Sequence, residues 1–391
     1  MLEGVNVALG VTGSIAAVKT VELAHELRRR GAAVRGVMTD SARGIVHPWA
    51  LEFATDAEVV TEITGGVEHV ELCGYDGWAD VLLIAPATAN TVGKIAGAVD
   101  DTPVTTCATT ALGAGTPVVI APAMHEPMYD HPGVLEAIET VEGWGVEFVS
   151  PRIEEGKAKI ASEEAIVCDV ARAAGDRSLE GRRVVVTSGA TSEPIDPVRV
   201  LTNRSSGKMG RAVARACYVR GADVTLVHDG DSVPYADVRE VERAEEMLAA
   251  TREACDDADA LVSAAAIGDY TLEESEEKIR SGRERTLELE PAPKLIDEIR
   301  ADRPTLPIVG FKTETSGDER AMIEKARETL ERADLAFVVA NDASVMGADR
   351  TRALLVHAAD VARYEGSKAG LAEEIAASIA TMLAGGPDRQ H

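Results

Sequence analysis

The sequence predicts an α/β protein of two domains, each an open parallel sheet flanked by helices, and three observations carry that reading. Residues 2–14, LEGVNVALGVTGS, and 179–192, LEGRRVVVTSGATS, open alike. Each has a short polar lead, an apolar run and a turn of Gly, Ser and Thr, the beginning of an α/β unit. The apolar runs that follow lack strict alternation, as parallel strands covered on both faces do. A chain of 391 residues also exceeds one ordinary core. The small and charged ARAAGDRSLEG suits a linker at 176–180 between domains 1–175 and 181–391.

In the first half, VNVALGV is a strand, followed by an amphipathic helix over roughly 15–30 and a second strand and turn in AAVRGVMT. VLLIAPAT and PVVIAPAM are further strands, each ending in Pro and small residues. The second half repeats the pattern in RVVVTSG, DVTLVHD, ADALVSAAAI, LPIVGFKTET and LAFVVAND. Open parallel sheets collect ligands at the carboxyl ends of their strands. The polar turns fall there, so the chemistry of both halves belongs on that rim.

The formal net charge is −26. Such a surface repels nucleic acid and anionic membranes, so an anionic ligand must be held by local amides and a few placed cations. Acids spread through nearly every polar stretch, with arginine far outnumbering lysine, read as adaptation to a very salty, halophile-like cytoplasm where screening relieves repulsion. The five cysteines, Cys73, Cys107, Cys168, Cys217 and Cys255, are widely spaced and form neither a disulfide framework nor a zinc pattern. No apolar run approaches the ~20 residues of a membrane span, and no basic region with a signal core opens the chain. The expectation is a cytoplasmic protein.

Gly10, Gly13 and Ser14 lie between a strand and a helix, where their amides can face an anion. The spacing is not GxGxxG, and Thr39, Asp40 and Ser41 after the second strand suit a phosphate or a ring edge rather than a ribose. Alone, the turn fits a phosphate-bearing cofactor or a plain tight turn. With HVEL, WADVLLIAPATANTVGKIAGAVDD and PAMHEPMYDHP in order after it, the chain from about residue 4 to 170 resembles the homo-oligomeric flavin-containing cysteine decarboxylases, specifically phosphopantothenoylcysteine decarboxylase.

That resemblance implies a flavodoxin-like three-layer α/β/α domain in trimers or dodecamers, with FMN held by Gly13, Ser14, Ile15, Thr39, Ser41, Pro86, Thr88 and Ala89. It implies His69 as the catalytic histidine and Asn90 as a contact to the substrate carboxylate; Asn90 can also cap the helix TVGKIAGA. PAMHEPM, with Met124 and His125, would form a substrate clamp. Many family members carry Asn at the place of His125, and a cysteine in a lid for which this chain has SPRIEEGKAKIAS. Cys168 beyond it reads as a small buried residue, and Lys157 and Lys159 as lid charges. A flavin suits the reaction because it oxidises the thiol-bearing carbon and so creates the electron sink that decarboxylation needs. An imidazole can take the thiol proton.

In the second half, VTSGATSEPIDPVRVLTNRSSGKMGRAVARACYVRGADVTLV reads as a strand, a long polar loop stiffened by Pro194 and Pro197, and a helix beginning near Lys208. Ser205, Ser206 and Gly207 offer amides at the helix start, although no GxxxxGK[ST] is present. With SAAAIGDY, EEKIRSG, LELEPAPKLI, VGFKTET and FVVANDAS following, residues 181–385 resemble phosphopantothenate-cysteine ligase, a Rossmann-like α/β domain. The resemblance implies activation of the 4'-phosphopantothenate carboxylate by a nucleoside triphosphate, CTP in microbial members, with Mg²⁺ on its phosphates and cysteine as the attacking amine.

Asn203 would then hydrogen-bond the acyl-phosphate and Lys278 would neutralise the alpha phosphate. Ser205, Ser206, Gly207 and Lys208 would hold substrate phosphate. Asp269 would orient nucleotide or metal, and Phe311 and Lys312 would line the base and triphosphate pocket. Lys278 can instead pair with Glu274 one helical turn earlier, and Asn341 and Asp342 serve equally as strand terminators or nucleotide contacts. IGDYTLEESEEKIRSG, with few apolar anchors, reads as a mobile flap.

The combined reading is a bifunctional coenzyme A biosynthesis enzyme. An NAD-dependent dehydrogenase, with Asp229 as its ribose acid, and a non-enzymatic flavin-binding regulatory subunit are the alternatives.

Overall fold

The computed structural model describes residues 1–154, 157–314, 318–342 and 350–385. The chain divides into two compact units, Met1–Asp176 and Arg177–His391.

The first unit contains strands β1 (Asn6–Val11), β2 (Ala33–Met38), β3 (Val81–Ala87), β4 (Val118–Pro122), β5 (Met124–His125), β6 (Glu147–Phe148), β7 (Arg152–Glu154) and β8 (Lys157–Lys159). Its helices are α1 (Thr20–Arg29), α2 (Asp40–Arg43), α3 (Pro48–Thr55), α4 (Glu68–Cys73), α5 (Ala89–Ala96), α6 (Pro103–Ala114), α7 (Glu126–Tyr129), α8 (Pro132–Glu142) and α9 (Glu163–Ala174). The main sheet runs β2-β1-β3-β4-β6, all parallel. Counted in order of use this is 2-1-3-4-5, the flavodoxin-like order, whose switch point lies between β1 and β3. Every residue of β3 is buried, which explains its unbroken apolar run. Helix α1 buries Leu23, Ala24 and Leu27 and turns Glu22 and Arg29 outward. The apolar residues therefore fix which face of α1 meets the sheet.

The second unit contains β9 (Arg183–Thr187), β10 (Ser192–Asp196), β11 (Arg199–Thr202), β12 (Asp223–His228), β13 (Asp237–Glu240), β14 (Ala260–Ser263), β15 (Tyr270–Thr271), β16 (Glu290–Pro291), β17 (Ile308–Glu314), β18 (Phe337–Asp342), β19 (Arg350–Val356) and β20 (Val361–Ser367). Its helices are α10 (Lys208–Val219), α11 (Ala244–Ala254), α12 (Leu295–Asp302), α13 (Glu319–Arg332) and α14 (Lys368–Ala384). The sheet order is β13-β12-β9-β14-β17-β18-β19-β20. Its first six strands are parallel in the Rossmann order 3-2-1-4-5-6. The last two add an antiparallel extension that the sequence reading does not contain.

Residues 192–202, expected as a polar loop, form the antiparallel hairpin β10–β11. Pro197 sits in its turn, and the register shifts between Pro194 and Asp196, where a residue without an N–H is tolerated. The five cysteines are free and buried. Among the described residues no helix is long and apolar enough to cross a membrane.

Candidate active sites at two sheet edges

Side chains tie the carboxyl ends of β1, β3 and β4 into one rim. Thr12, buried at the end of β1, donates its hydroxyl to the Pro86 carbonyl at 2.7 Å and accepts the Thr88 amide at 3.3 Å. Ser14 donates to the Ala123 carbonyl at 3.1 Å, and the Ala123 amide reaches Ala87 at 2.9 Å. A Cβ on Gly13 would lie 2.4 Å from that of Ser41, so only glycine lets the β1 turn and α2 approach so closely. Thr39 caps α2. The structure thus gathers Gly13, Ser14, Thr39, Ser41, Pro86 and Thr88, with Ala89 beginning α5, around the β1/β3 switch point. Ile15, on the same turn, is 78% exposed.

His69 lies in the first turn of α4. The last turn of α4 lies toward the amino edge, because the Thr116 hydroxyl, just before β4, reaches the Cys73 carbonyl at 3.5 Å. Nδ1 of His69 is buried without a hydrogen-bond partner, the kind of group that needs an explanation.

Asn90 is exposed at the second position of α5 and does not cap it; Thr88 does, accepting from the Thr91 amide. The capping alternative for Asn90 therefore falls. Met124 and His125 form β5, which pairs with β8 in the order β5-β8-β7. The proposed clamp segment and the lid stretch thus share one small antiparallel sheet. His125 is exposed, Cys168 is buried in α9, Lys159 lies in β8, and the side chain of Lys157 lies outside the described residues.

In the second unit the switch point lies between β9 and β14. The Ala264 amide reaches the Thr187 carbonyl, the Ala266 amide reaches that of Gly189, and the Asn203 amide side chain donates to the Ala266 carbonyl at 3.1 Å. Gly207, at φ +64, caps α10 and receives the Ser188 hydroxyl on its carbonyl at 2.9 Å. Ser205, Ser206, Gly207 and Lys208 thus stand at the amino end of a 12-residue helix beside Asn203.

On β17 and β18, Phe311 faces Val339 and Lys312 faces Ala340 in the ladder, and the Thr313 hydroxyl donates to Asn341 Oδ1 at 3.1 Å. This bond links ladder partners and involves no backbone group of Asn341. Asp342 ends β18, and its side chain lies outside the described residues.

Lys278 is exposed in a non-helical segment. Its proposed alternative partner, Glu274, accepts from Arg243 instead, and Lys278 pairs with no carboxylate among the described residues. Asp269 is exposed beyond β14, and among the described residues no three His, Cys, Asp or Glu side chains gather into a metal site.

Sequence reasoning missed Thr12, Glu193 and Asp196. All three are buried, and a polar residue inside an otherwise apolar or proline-stiffened stretch was the available signal.

Residues 1–175 match the Flavoprotein family, and residues 179–383 match the DNA/pantothenate metabolism flavoprotein C-terminal domain. The coenzyme A biosynthesis bifunctional protein CoaBC of Thermococcus kodakarensis is 51% identical over 361 residues, covering 91% of this chain and 89% of the relative. The chain belongs to the CoaBC family. It is a bifunctional enzyme of coenzyme A biosynthesis, with a decarboxylase and a ligase activity. The CoaBC protein of Methanocaldococcus jannaschii is 37% identical over 98% of this chain and 95% of its own, and that of Escherichia coli 33% over 88% and 87%. CoaBC membership removes the dehydrogenase and the non-enzymatic readings.

Proposed function

We propose that this CoaBC chain condenses 4'-phosphopantothenate with cysteine at the β9/β14 edge, using CTP, and decarboxylates the product at the β1/β3 edge with FMN. The observation that carries the decarboxylase assignment is the buried, unpartnered Nδ1 of His69. An imidazole whose Nδ1 is tied to no protein group is not committed to the fold, and on a half-buried residue the other ring nitrogen is left to exchange a proton with a substrate.

The residues present fit FMN. Gly13 and Ser14 bring main-chain groups to the rim, and Ile15 is an exposed apolar side chain suited to covering an aromatic ring. When bound, the flavin supplies the two-electron acceptor that makes loss of carbon dioxide accessible. His69 accepts the thiol proton. Asn90, free of capping duty, holds the substrate carboxylate, and Met124 and His125 close over it.

In the ligase half, Ser205, Ser206, Gly207 and Lys208 bind phosphate, Asn203 orients the activated acyl group and Lys278 offsets charge on the alpha phosphate. Phe311, Lys312 and Asn341 line the nucleotide site. Asp269 alone makes no cage for Mg²⁺, so the ion would ride chiefly on the triphosphate, and no step is assigned to it. Exposed Ile15, Trp49 and Phe53 support a homo-oligomer, a trimer or dodecamer, through the flavoprotein half.

Mass spectrometry of an anaerobic mixture of protein, CTP, 4'-phosphopantothenate and cysteine tests both halves at once. The expected product is 4'-phosphopantetheine with release of CMP. An amide product that keeps its carboxylate would remove the decarboxylase assignment. No amide at all would remove the ligase assignment.

A further inference from the structure

The hairpin β10–β11 carries two buried carboxylates in a chain crowded with exposed ones. Asp196 is 1% exposed and Glu193 4%. Burying an acid is unfavourable unless hydrogen bonds replace its water. For both residues part of the replacement comes from the segment that bears Lys278.

One oxygen of Asp196 accepts the amides of Val198 at 2.9 Å and Arg199 at 3.0 Å, which closes the hairpin turn. The other accepts the Arg199 guanidinium at 2.9 Å and the amide of Ile279 at 3.1 Å. Arg199 also donates to the Ile279 carbonyl at 2.8 Å. The peptide groups of residue 279, immediately after Lys278, are thus gripped on both sides. Two further contacts continue the line: Ser275 N–H to the Ile195 carbonyl at 3.1 Å, and the Thr271 hydroxyl to Glu193 at 2.9 Å. The segment expected as a free flap is anchored at its start by Ile267 against the core and docked along β10 by polar bonds. At its far end the same hairpin leads into Asn203, whose side chain is fixed on Ala266.

We infer that Asp196 is a positioning residue of the ligase reaction: with Arg199 it latches the segment 270–279 onto the hairpin and so sets Lys278 in register with Asn203. The inference rests on the role proposed above for Lys278. A bond to an ionised acceptor is stronger than a neutral one and tolerates little displacement of its donor. The latch therefore holds the main chain beside Lys278 while leaving the lysine side chain unpaired for its ligand. Because the lysine acts on charge that develops during activation, loosening its backbone should lower turnover more than it weakens nucleotide binding.

The test compares Asp196→Asn, Arg199→Lys and Lys278→Ala in the full chain, following CMP formation with CTP, 4'-phosphopantothenate and cysteine. Asp196→Asn is expected to lower kcat by about tenfold or more, from the loss of a charge-assisted bond, with the KM for CTP nearly unchanged. Trypsin should cut at Arg280 and Arg283 several-fold faster in this variant. Arg199→Lys, which keeps the charge but cannot span both Asp196 and the Ile279 carbonyl, is expected to fall between wild type and Asp196→Asn.

If Lys278→Ala is inactive while Asp196→Asn turns over like wild type, the latch is wrong and the lysine assignment stands. If Lys278→Ala is itself fully active, both fall. Should Asp196→Asn unfold the ligase half, Arg199→Lys decides. Wild-type kcat and trypsin resistance in that variant would overturn the latch.

Discussion

The hydroxyl of Thr12 donates to the Pro86 carbonyl at 2.7 Å while accepting the amide of Thr88 at 3.3 Å, joining two strands on either side of the switch point. Thr12→Val keeps the shape and strands both partners. It should destabilise the flavoprotein half by about 1–3 kcal/mol, the cost of unpaired buried groups. Calorimetry of that transition, with visible absorbance of the purified protein, checks the loss of stability and of bound flavin together.

His69→Asn should lower carbon dioxide release by roughly 100-fold or more, the range for removing a general base. Amide formation in the other half should be unchanged. Headspace mass spectrometry beside CMP quantification separates the two, and undiminished gas release would remove His69 from the mechanism.

Gly189 has φ +82, and a Cβ there would lie 1.8 Å from Asp229 Oδ1. Gly189→Ala should cost on the order of 1–3 kcal/mol through strain in the left-handed region, and more through the clash. A second substitution, Asp229→Gly, relieves the clash but not the strain. The double variant should therefore recover part of the unfolding temperature, but not all of it.

His228 is 1% exposed at the carboxyl end of β12. Burial, helped by the nearby Arg211 charge, holds its imidazole below the ordinary 6.5, against the carbonyl of Asp231, which favours protonation. The unfolded chain then binds the proton more readily than the folded one. Stability from this group is complete above pH 6.5 and declines as pH falls through the interval down to the lowered folded value. His228→Leu should flatten the acid side of the ligase half's stability curve, measured by thermal unfolding from neutral to mildly acidic pH.

A formal charge of −26 should make stability rise with added potassium chloride. At about 0.1 M salt the screening length is roughly 10 Å and at 1 M roughly 3 Å, so self-repulsion among neighbouring surface acids fades over that interval. Unfolding temperatures across the series would read this out, and a flat profile would remove the reading of the composition as salt adaptation.

Much of the fold was legible because parallel strands buried on both faces leave unbroken apolar runs. VLLIAPA became β3 with every side chain buried, and the turns around Gly13 and Gly207 fell at strand and helix ends. What the sequence hid was pairing between distant polar residues. Pro194 and Pro197 made a loop the natural reading of 192–202, yet Pro197 needs no amide partner in a hairpin turn and Pro194 lies at a register shift. HVEL lies in α4, and a turn separates that helix from β3. Lys278 and Glu274 had helical spacing, and Arg243, far away in sequence, took the glutamate. Buried Asp196 was invisible as a docking point because nothing local marks which amide, 83 positions on, will reach it.

Because Thr88 answers the Thr91 amide in the first turn of α5, its neighbour two places on carries no capping burden. Asn90, exposed and outside the cap, can be exchanged for many polar side chains at little folding cost, so the carboxylate contact proposed for it could be retuned without compensating repairs. The fastener of α5 and the proposed carboxylate contact are separate residues, and mutation can reach one while sparing the other.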